Sequence, residues 1–157
     1  MRIGNGFDIH RFSDDEQRPL WLGLTLVPGA RGLHGHSDAD AVTHAVIDAL
    51  LGATGQGDIG QHFPDSDPAI SGISSRAMLE RVLTIVRNMG FRVVNVDVTV
   101  VAEAPRLAPY REEICRTMSE AVGAPVSLKA TTMEGLGPIG AHEALAALAV
   151  CLVEEIS

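Results

Sequence analysis

Two side chains that can bind a metal ion stand close together near the N-terminus. Asp8 and His10 are two positions apart within residues 2–10, whose alternating pattern predicts a strand. Side chains two apart on a strand point to the same face, so the carboxylate and the imidazole project together. On its own this pair is explained better by an ordinary Asp–His hydrogen bond at a strand end than by a metal site.

A second polar stripe lies on a helix predicted over residues 39–53. Asp40, His44 and Asp48 follow one another at intervals of four and so share one helix face. The rest of this helix is apolar, and burying such a stripe without partners would be costly. Either the stripe faces solvent, or His44 joins the N-terminal pair around a metal and Asp48 orients the imidazole. Three protein ligands with an open position are typical of catalytic zinc.

Further polar groups suit a phosphate ligand. His36 has no role in the helix that follows, so it can donate to a phosphate oxygen, whereas capping that helix explains Ser37 well. Residues 57–60 contain two glycines that would let a ligand approach the backbone, although ordinary turns have the same composition. Residues 129–135 combine an ammonium, hydroxyls and a carboxylate, which favours a phosphate with a second divalent cation such as Mg²⁺.

These groups must be positioned by regular elements. The pattern predicts strands at 2–10, 20–27, 91–102 and 126–131, and helices at 39–53, 75–88 and from Pro105 to near Gly123. Residues 143–156 fit either a helix, by their Ala, Leu and Glu content, or a buried strand. The alternation predicts an α/β or α+β sandwich in which helices cover a sheet.

Composition excludes several classes of protein. A length of 157 residues predicts a single domain, and 46% hydrophobic with 20% charged residues excludes intrinsic disorder. The net charge of −8 argues against nucleic acid and anionic membranes as partners. We expect no membrane span and no signal peptide. Cys115 and Cys151 lie far apart in apolar segments, which predicts free thiols and a reducing, cytoplasmic compartment.

Short motifs in chain order resemble those of one known family, the 2-C-methyl-D-erythritol 2,4-cyclodiphosphate synthases of the non-mevalonate isoprenoid pathway. The resemblance covers essentially the whole chain. The motifs are Gly6-Phe7-Asp8-Ile9-His10, His36-Ser37-Asp38-Ala39-Asp40, His44-Ala45, Asp48-Ala49-Leu50-Leu51-Gly52-Ala53, Gly57-Asp58-Ile59-Gly60, Phe63-Pro64-Asp65, Asn95-Val96-Asp97-Val98-Thr99, Ala104-Pro105 and Lys129-Ala130-Thr131-Thr132.

The resemblance implies a phosphorus–oxygen lyase. Members of the family convert 4-diphosphocytidyl-2-C-methyl-D-erythritol 2-phosphate to 2-C-methyl-D-erythritol 2,4-cyclodiphosphate and release CMP. It also implies an α+β fold, a single domain over 1–157 in which helices cover a mixed sheet and residues 143–156 form a strand. The family assembles as a homotrimer, with active sites between subunits.

The resemblance also assigns site residues. It implies one Zn²⁺ per subunit on Asp8, His10 and His44, and a second cation, Mg²⁺ or Mn²⁺, on Glu134. His36 and Thr132 correspond to the positions that stabilise the transition state. Substrate contacts are expected at Ser37, Asp58, Ile59, Gly60, Phe63, Pro64, Asp65, Ser66, Asp67, Ala102, Glu103, Ala104, Pro105, Arg106, Leu107, Ala108, Thr131 and Met133. Supporting positions behind the ligands are Asp40, Asp48 and Lys129.

Two other functions fit the same residues. A zinc phosphohydrolase would use water as the nucleophile on the same metal site. A non-catalytic protein would use the metal for stability alone. The chain also has Ala39, Met133, Pro138 and Ala141 where the family usually has other residues.

Overall fold

The computed structural model describes residues 1–64, 66, 68 and 72–156. Its elements in chain order are β1 (Arg2–Arg11), β2 (Leu20–Leu22), β3 (Thr25–Val27), α1 (Ala41–Thr54), α2 (Ile59–His62), α3 (Ser75–Asn88), β4 (Phe91–Val101), α4 (Arg111–Val122), β5 (Val126–Thr131), α5 (Gly137–Gly140) and β6 (Ala144–Glu155). Within this part of the chain, no helix has the length and apolar character needed to cross a bilayer.

The main sheet has four strands in the order β1-β6-β4-β5. The β1–β6 and β6–β4 pairs are antiparallel, and the β4–β5 pair is parallel, so the sheet is mixed. Helix α1 packs on β1 and β6, α3 packs on α1 and β4, and α4 packs on β5. The predicted α+β sandwich, a mixed sheet covered by helices, is therefore confirmed.

Helix α1 lies unusually close to β1 because two inward positions of the strand are glycines. A Cβ atom built on Gly4 would lie 1.9 Å from the backbone oxygen of Ala49, and one on Gly6 would lie 2.0 Å from that of Ala45. No other residue fits between the strand and the helix backbone. The even-numbered positions of β1 therefore face α1 at close range, and these include the positions of the predicted metal ligands.

The opposite face of β1 and β6 carries apolar side chains that the single chain leaves uncovered. Ile3, Phe7 and Ile9 on β1 are exposed, as are Leu148 and Val150 on β6. Phe7 is directly opposite Leu148 in the strand register, so these residues form one continuous patch. Large contiguous apolar patches are typical of protein–protein interfaces.

Residues 20–27 form a hairpin rather than the single predicted strand. Gly23 and Leu24 both have positive φ, 57° and 61°, the combination that a tight two-residue turn between antiparallel strands requires.

The Asp40 side chain caps α1 by accepting from the Thr43 N–H, so Ser37 is not the N-cap. The Ser37 hydroxyl instead accepts from the Ala39 N–H at 3.1 Å.

The predicted helix from Pro105 is also wrong at its start. Helix α4 begins at Arg111 and ends before Gly123. A helix from Pro105 would hold Pro109 in its interior, where proline removes a hydrogen bond and clashes with the preceding turn.

The ambiguous segment 143–156 is resolved as a strand, since β6 lies between β1 and β4 and pairs with both. The short helix α2 begins within residues 57–60, whose composition also fits ordinary turns.

Candidate functional site

Asp8, His10 and His44, the triad, meet between β1 and α1. The Asp8 Oδ2 atom lies 3.0 Å from His10 Nε2 and 3.2 Å from His44 Nδ1. One ligand atom from each of the three residues lies within 4.8 Å of the others, the spacing of a shared metal ion. The prediction that the two distant segments bring these side chains together is confirmed.

The His10 ring is fixed by the loop before α1. His10 Nδ1 lies 2.7 Å from the carbonyl oxygen of His34. A carbonyl only accepts hydrogen bonds, so Nδ1 carries the proton of the neutral ring and Nε2 presents its lone pair to Asp8. Gly35 lies against the ring, since a Cβ there would be 3.3 Å from His10 Cε1.

This arrangement fits a divalent cation. The lone pair of His10 Nε2 faces an anionic oxygen at 3.0 Å, a contact that is repulsive unless a proton or a metal ion lies between the two atoms. One carboxylate and two imidazoles are ligands that zinc prefers, and a backbone carbonyl behind one imidazole is the usual outer partner. The donor set therefore suits Zn²⁺.

The charges of the triad are coupled in the metal-free chain. Burial alone would raise the pKa of Asp8, but hydrogen bonds from His10 and His44 hold that pKa below its ordinary value. Burial alone would lower the pKa of His10, but its hydrogen bond to Asp8 raises it. The carboxylate is thus anionic and ready to bind a cation.

The outer nitrogen of His44 contacts serines rather than Asp48. Its Nε2 atom lies 3.0 Å from Ser75 Oγ and 3.4 Å from Ser37 Oγ. Asp48 instead accepts a 2.7 Å hydrogen bond from the Ile59 N–H. Burial raises the pKa of Asp48. The prediction that Asp48 orients His44 is therefore wrong; Asp48 attaches the start of α2 to α1, beside the triad.

Asp40 likewise does not support the triad. Its two oxygens accept from the backbone N–H groups of Gly23 and Leu24 and from the N–H and hydroxyl of Thr43. The side chain is fully buried, and these four bonds satisfy it. The predicted supporting role is corrected: Asp40 joins the β2–β3 turn to the first turn of α1.

A cleft of about 610 Å³ opens beside the triad. Besides the triad, it is lined by predicted site residues, which are His36, Ser37, Ile59, Gly60, Phe63, Pro64 and Ser66. It is also lined by three residues that the sequence analysis did not select, Gly35, Ile73 and Met78. Asp58 caps α2 through the Gln61 N–H, as its turn-forming interpretation predicts. The predicted contacts Asp65 and Asp67 lie outside the described residues.

The remaining predicted residues lie on the other side of the sheet, in the segment that follows β4 and at the end of β5 and after it. Residues 129–138, the exposed strip, are all exposed. Within it the Thr132 hydroxyl donates to Glu134 Oε1 at 3.0 Å, and the Met133 N–H donates to Glu103 Oε1 at 2.9 Å. The second bond ties the strip to residues 102–108, where substrate contacts are predicted. The ammonium of Lys129 pairs with Asp97 on the neighbouring strand.

The exposed strip does not share the triad's cleft within one chain. Strand β5 is separated from β1 by three strand spacings, about 14 Å. Among the described residues that line the cleft, none comes from 102–108 or from the strip. Within one chain, the two groups of described residues therefore do not line a common cleft.

Sequence reasoning missed three polar residues around the site. Asp38 and Ser75 are hydrogen-bonded to each other, and Ser75 contacts His44. The guanidinium of Arg18 donates to the carbonyl oxygens of Gly35 and Ser37, and so holds the loop that bears His36. Neither spacing nor residue type marks these partners, which lie between 17 and 37 residues apart along the chain.

The chain is similar to a well-defined group of proteins. Residues 1–154 match the model of the YgbB family. A 2-C-methyl-D-erythritol 2,4-cyclodiphosphate synthase from Gloeobacter violaceus is 52% identical over 99% of this chain and 96% of its own length. One of the same name from Desulfatibacillum aliphaticivorans is 48% identical over 98% of this chain and 100% of its own length.

Solved structures agree. The bifunctional IspDF of Campylobacter jejuni matches 99% of this chain with a TM-score of 0.93 and 35% identity; the match spans 42% of that longer protein. A structure of 2C-methyl-D-erythritol-2,4-cyclodiphosphate synthase in a CDP-bound form matches 98% of this chain and 100% of its own, with a TM-score of 0.88 and 37% identity. The IspF–CDP complex of Plasmodium falciparum matches 99% of this chain and 97% of its own, with a TM-score of 0.85 and 31% identity.

Proposed function

The chain belongs to the YgbB family, whose relatives are 2-C-methyl-D-erythritol 2,4-cyclodiphosphate synthases, and on this premise we propose that it closes the same ring. Its substrate is 4-diphosphocytidyl-2-C-methyl-D-erythritol 2-phosphate, and its products are 2-C-methyl-D-erythritol 2,4-cyclodiphosphate and CMP. The carrying observation is the triad, a cation site that opens into a cleft. The reaction belongs to isoprenoid precursor synthesis by the non-mevalonate pathway, and we place it in the cytoplasm.

The reaction is an internal substitution at phosphorus. An oxygen of the 2-phosphate attacks the β-phosphorus and forms a new P–O bond, while the bond from that phosphorus to the oxygen of the CMP phosphate breaks. CMP leaves with that oxygen, so no water and no external nucleophile enters. The enzyme is thus a cyclising phosphorus–oxygen lyase, and its work is positioning and charge neutralisation.

Two cations serve this chemistry. Asp8, His10 and His44 hold one Zn²⁺ per subunit, and Glu134 in the exposed strip holds a second divalent ion, Mg²⁺ or Mn²⁺. When bound, these ions supply Lewis acidity and offset the negative charge of the diphosphate. An acidic chain with a net charge of −8 needs such counter-charge to accept a multiply phosphorylated substrate.

The chain's own groups orient the reacting phosphates. His36 lies on the rim of the cleft, and we assign it and Thr132 to the phosphate oxygens that gain charge in the transition state. Ser37, residues 58–60, Phe63, Pro64 and Ser66 form the wall over the methylerythritol and diphosphate. Asp65 and Asp67 are assigned to contacts with the same part of the substrate. Residues 102–108 with Thr131 and Met133 receive the cytidine end.

We propose that the protein is a homotrimer, with each site shared by two subunits. The apolar patch on β1 and β6 supports this, because a single chain leaves it uncovered. The separation of about 14 Å between β1 and β5 supports it as well, since a neighbouring copy can bring its exposed strip to the triad. In this assembly the chain acts as one synthase domain over 1–157 and has no nucleic-acid or membrane partner.

The test is turnover of the full substrate by zinc-loaded protein with Mg²⁺ present. We expect equal amounts of CMP and the cyclic diphosphate, and no CMP from a substrate analogue that lacks the 2-phosphate. A zinc phosphohydrolase would release CMP from the analogue as well, and that result would overturn the proposal. A metal-stabilised, non-catalytic protein would turn over neither compound and would unfold when its zinc was removed.

A further inference from the structure

The outer nitrogen of His44 contacts Ser75, which is hydrogen-bonded to Asp38, and the proposed reaction assigns no role to either residue. Ser75, the first residue of α3, is fully buried, and its Oγ lies 3.0 Å from His44 Nε2. Both the backbone N–H and the hydroxyl of Ser75 donate to the carboxylate of Asp38, one to each oxygen. The helix cap is supplied separately by Ser74, which accepts from the Ala77 N–H.

The direction of each hydrogen bond follows from the donors available. The Ser75 hydroxyl has one hydrogen, and an ionised carboxylate such as that of Asp38 can only accept. That hydrogen therefore points at Asp38, and Ser75 Oγ is left to accept from His44. When His44 is a neutral ring, as a metal ligand must be, its single proton is therefore on Nε2, and Nδ1 has the lone pair.

That lone pair is the one the proposed metal site needs. His44 Nδ1 is the atom 3.2 Å from Asp8 Oδ2, inside the triad. Had the carboxylate of Asp38 been absent, the hydroxyl could have donated to Nε2, and the proton on Nδ1 would then block a metal bond. We propose that Asp38 and Ser75 form a positioning relay that fixes the tautomer of His44 and aims Nδ1 at the zinc.

The relay complements the contact behind His10. There a backbone carbonyl, that of His34, fixes the proton on Nδ1 and frees Nε2 for the metal. For His44, the side chains of Ser75 and Asp38 fix the proton on Nε2 and leave Nδ1 for the metal. Ser37 Oγ, at 3.4 Å from His44 Nε2, is a longer and weaker alternative acceptor.

The test compares neighbouring serines. This inference rests on the proposed zinc site, so zinc affinity is measured first on the unaltered protein, by competition with a chromophoric chelator. Ser75→Ala should weaken zinc binding about 10- to 100-fold, the usual loss for an outer partner of a ligand histidine. Ser74→Ala removes the helix cap and should lower the melting temperature, yet leave zinc affinity within twofold of the unaltered protein.

A second variant guards against a folding defect in the first. Asp38→Asn has one oxygen for two donors, so it should also weaken zinc binding at least tenfold. In zinc-loaded unaltered protein, ¹⁵N–¹H correlation spectra should show the His44 proton on Nε2 with slow solvent exchange, and Asp38→Asn should speed that exchange. Zinc affinity within threefold of the unaltered protein in both Ser75→Ala and Asp38→Asn would overturn the relay. If the unaltered protein bound no zinc, the metal site itself would be wrong.

Discussion

The triad and the exposed strip are built in opposite ways. The triad lies between β1 and α1, and each of its imidazoles has one nitrogen held by a described partner outside the triad. The exposed strip, residues 129–138, is accessible along its whole length, and its described bonds to side chains outside the strip are those to Asp97 and Glu103. The metal site proposed for the triad is supplied by one chain and needs this fixed geometry, whereas a surface proposed to meet a neighbouring subunit is uncovered in the single chain.

The largest loss of stability should come from a side chain that fills the space between β1 and α1, the two elements that bring the triad together. Gly6→Ala would place a Cβ 2.0 Å from the backbone oxygen of Ala45, which cannot swing aside as a side chain can. We expect a loss of at least about 3 kcal/mol, the upper range for overpacking, or no folded protein. Unfolding in urea measures it.

The matched change in the exposed strip is Gly135→Ala. A Cβ there meets no atom within 4 Å, but the φ of 77° disfavours any side chain. The expected cost is about 1 kcal/mol from the backbone alone. If Gly135→Ala proved as damaging as Gly6→Ala, the contrast between a packed triad and an open strip would be broken.

His44→Ala should remove zinc and activity together. The variant loses one of three ligands, so we expect no stoichiometric zinc and a fall in kcat/KM of about 10³-fold or more. Its thermal unfolding and its sedimentation should stay close to those of the unaltered protein without zinc. Retention of one zinc per chain would contradict the ligand assignment.

Thr132→Ala should separate activity from zinc content. The strip lies about 14 Å from β1, so zinc should remain at one per chain. The loss of one phosphate-stabilising group should lower kcat on the order of 10²-fold. Metal analysis and steady-state kinetics together test this prediction. A loss of both zinc and activity would mean that the two regions are not independent.

The extent to which sequence predicted this site depended on the kind of contact. Asp8, His10 and His44 were found because spacings of two and four mark a strand face and a helix face. The same spacing rule gave a wrong prediction for Asp40 and Asp48. Both share the helix face of His44, but neither supports the metal ligands. Asp40 is the N-cap at the start of α1, and Asp48 accepts a hydrogen bond from the Ile59 N–H rather than from the imidazole.

Contacts set by tertiary packing gave no sequence signal. Ser75 is only the first residue of the predicted helix 75–88, and the packing of α3 on α1 is what brings it to His44, 31 positions away. The composition of β6 favoured a helix, but a central strand flanked by two antiparallel partners overrides propensity. The predicted helix start at Pro105 is wrong for a local reason. Proline is favoured at the first helical position, but a helix that began there would contain Pro109, so α4 begins only at Arg111.

The smallest expected effect is electrostatic and lies next to the strip. Lys129, and to a lesser extent Ser127, hold the pKa of Asp97 below its ordinary value. A lowered folded-state pKa stabilises the fold above the unfolded-state pKa of about 3.9, and the benefit is lost as the pH falls through the folded value. Because the pair is about half exposed, Asp97→Asn should cost only a few tenths of a kcal/mol at pH 7.

This pair is checked by urea unfolding at two pH values. The difference between Asp97→Asn and the unaltered protein should shrink at pH 3 relative to pH 7. A difference that grew towards low pH would mean that the carboxylate is not the stabilised form. That result would mean that the contact between Lys129 and Asp97 does not act as a stabilising ion pair.

Mixing subunits tests most directly whether the triad of one copy works with the exposed strip of another. His44→Ala and Thr132→Ala chains, each strongly impaired alone, would be unfolded and reassembled together at equal amounts. If each site takes one region from each of two neighbours in a ring, random mixing leaves about a quarter of the sites intact, and about a quarter of the unaltered activity should return. Activity no higher than the sum of the two separate variants would contradict a site shared between subunits.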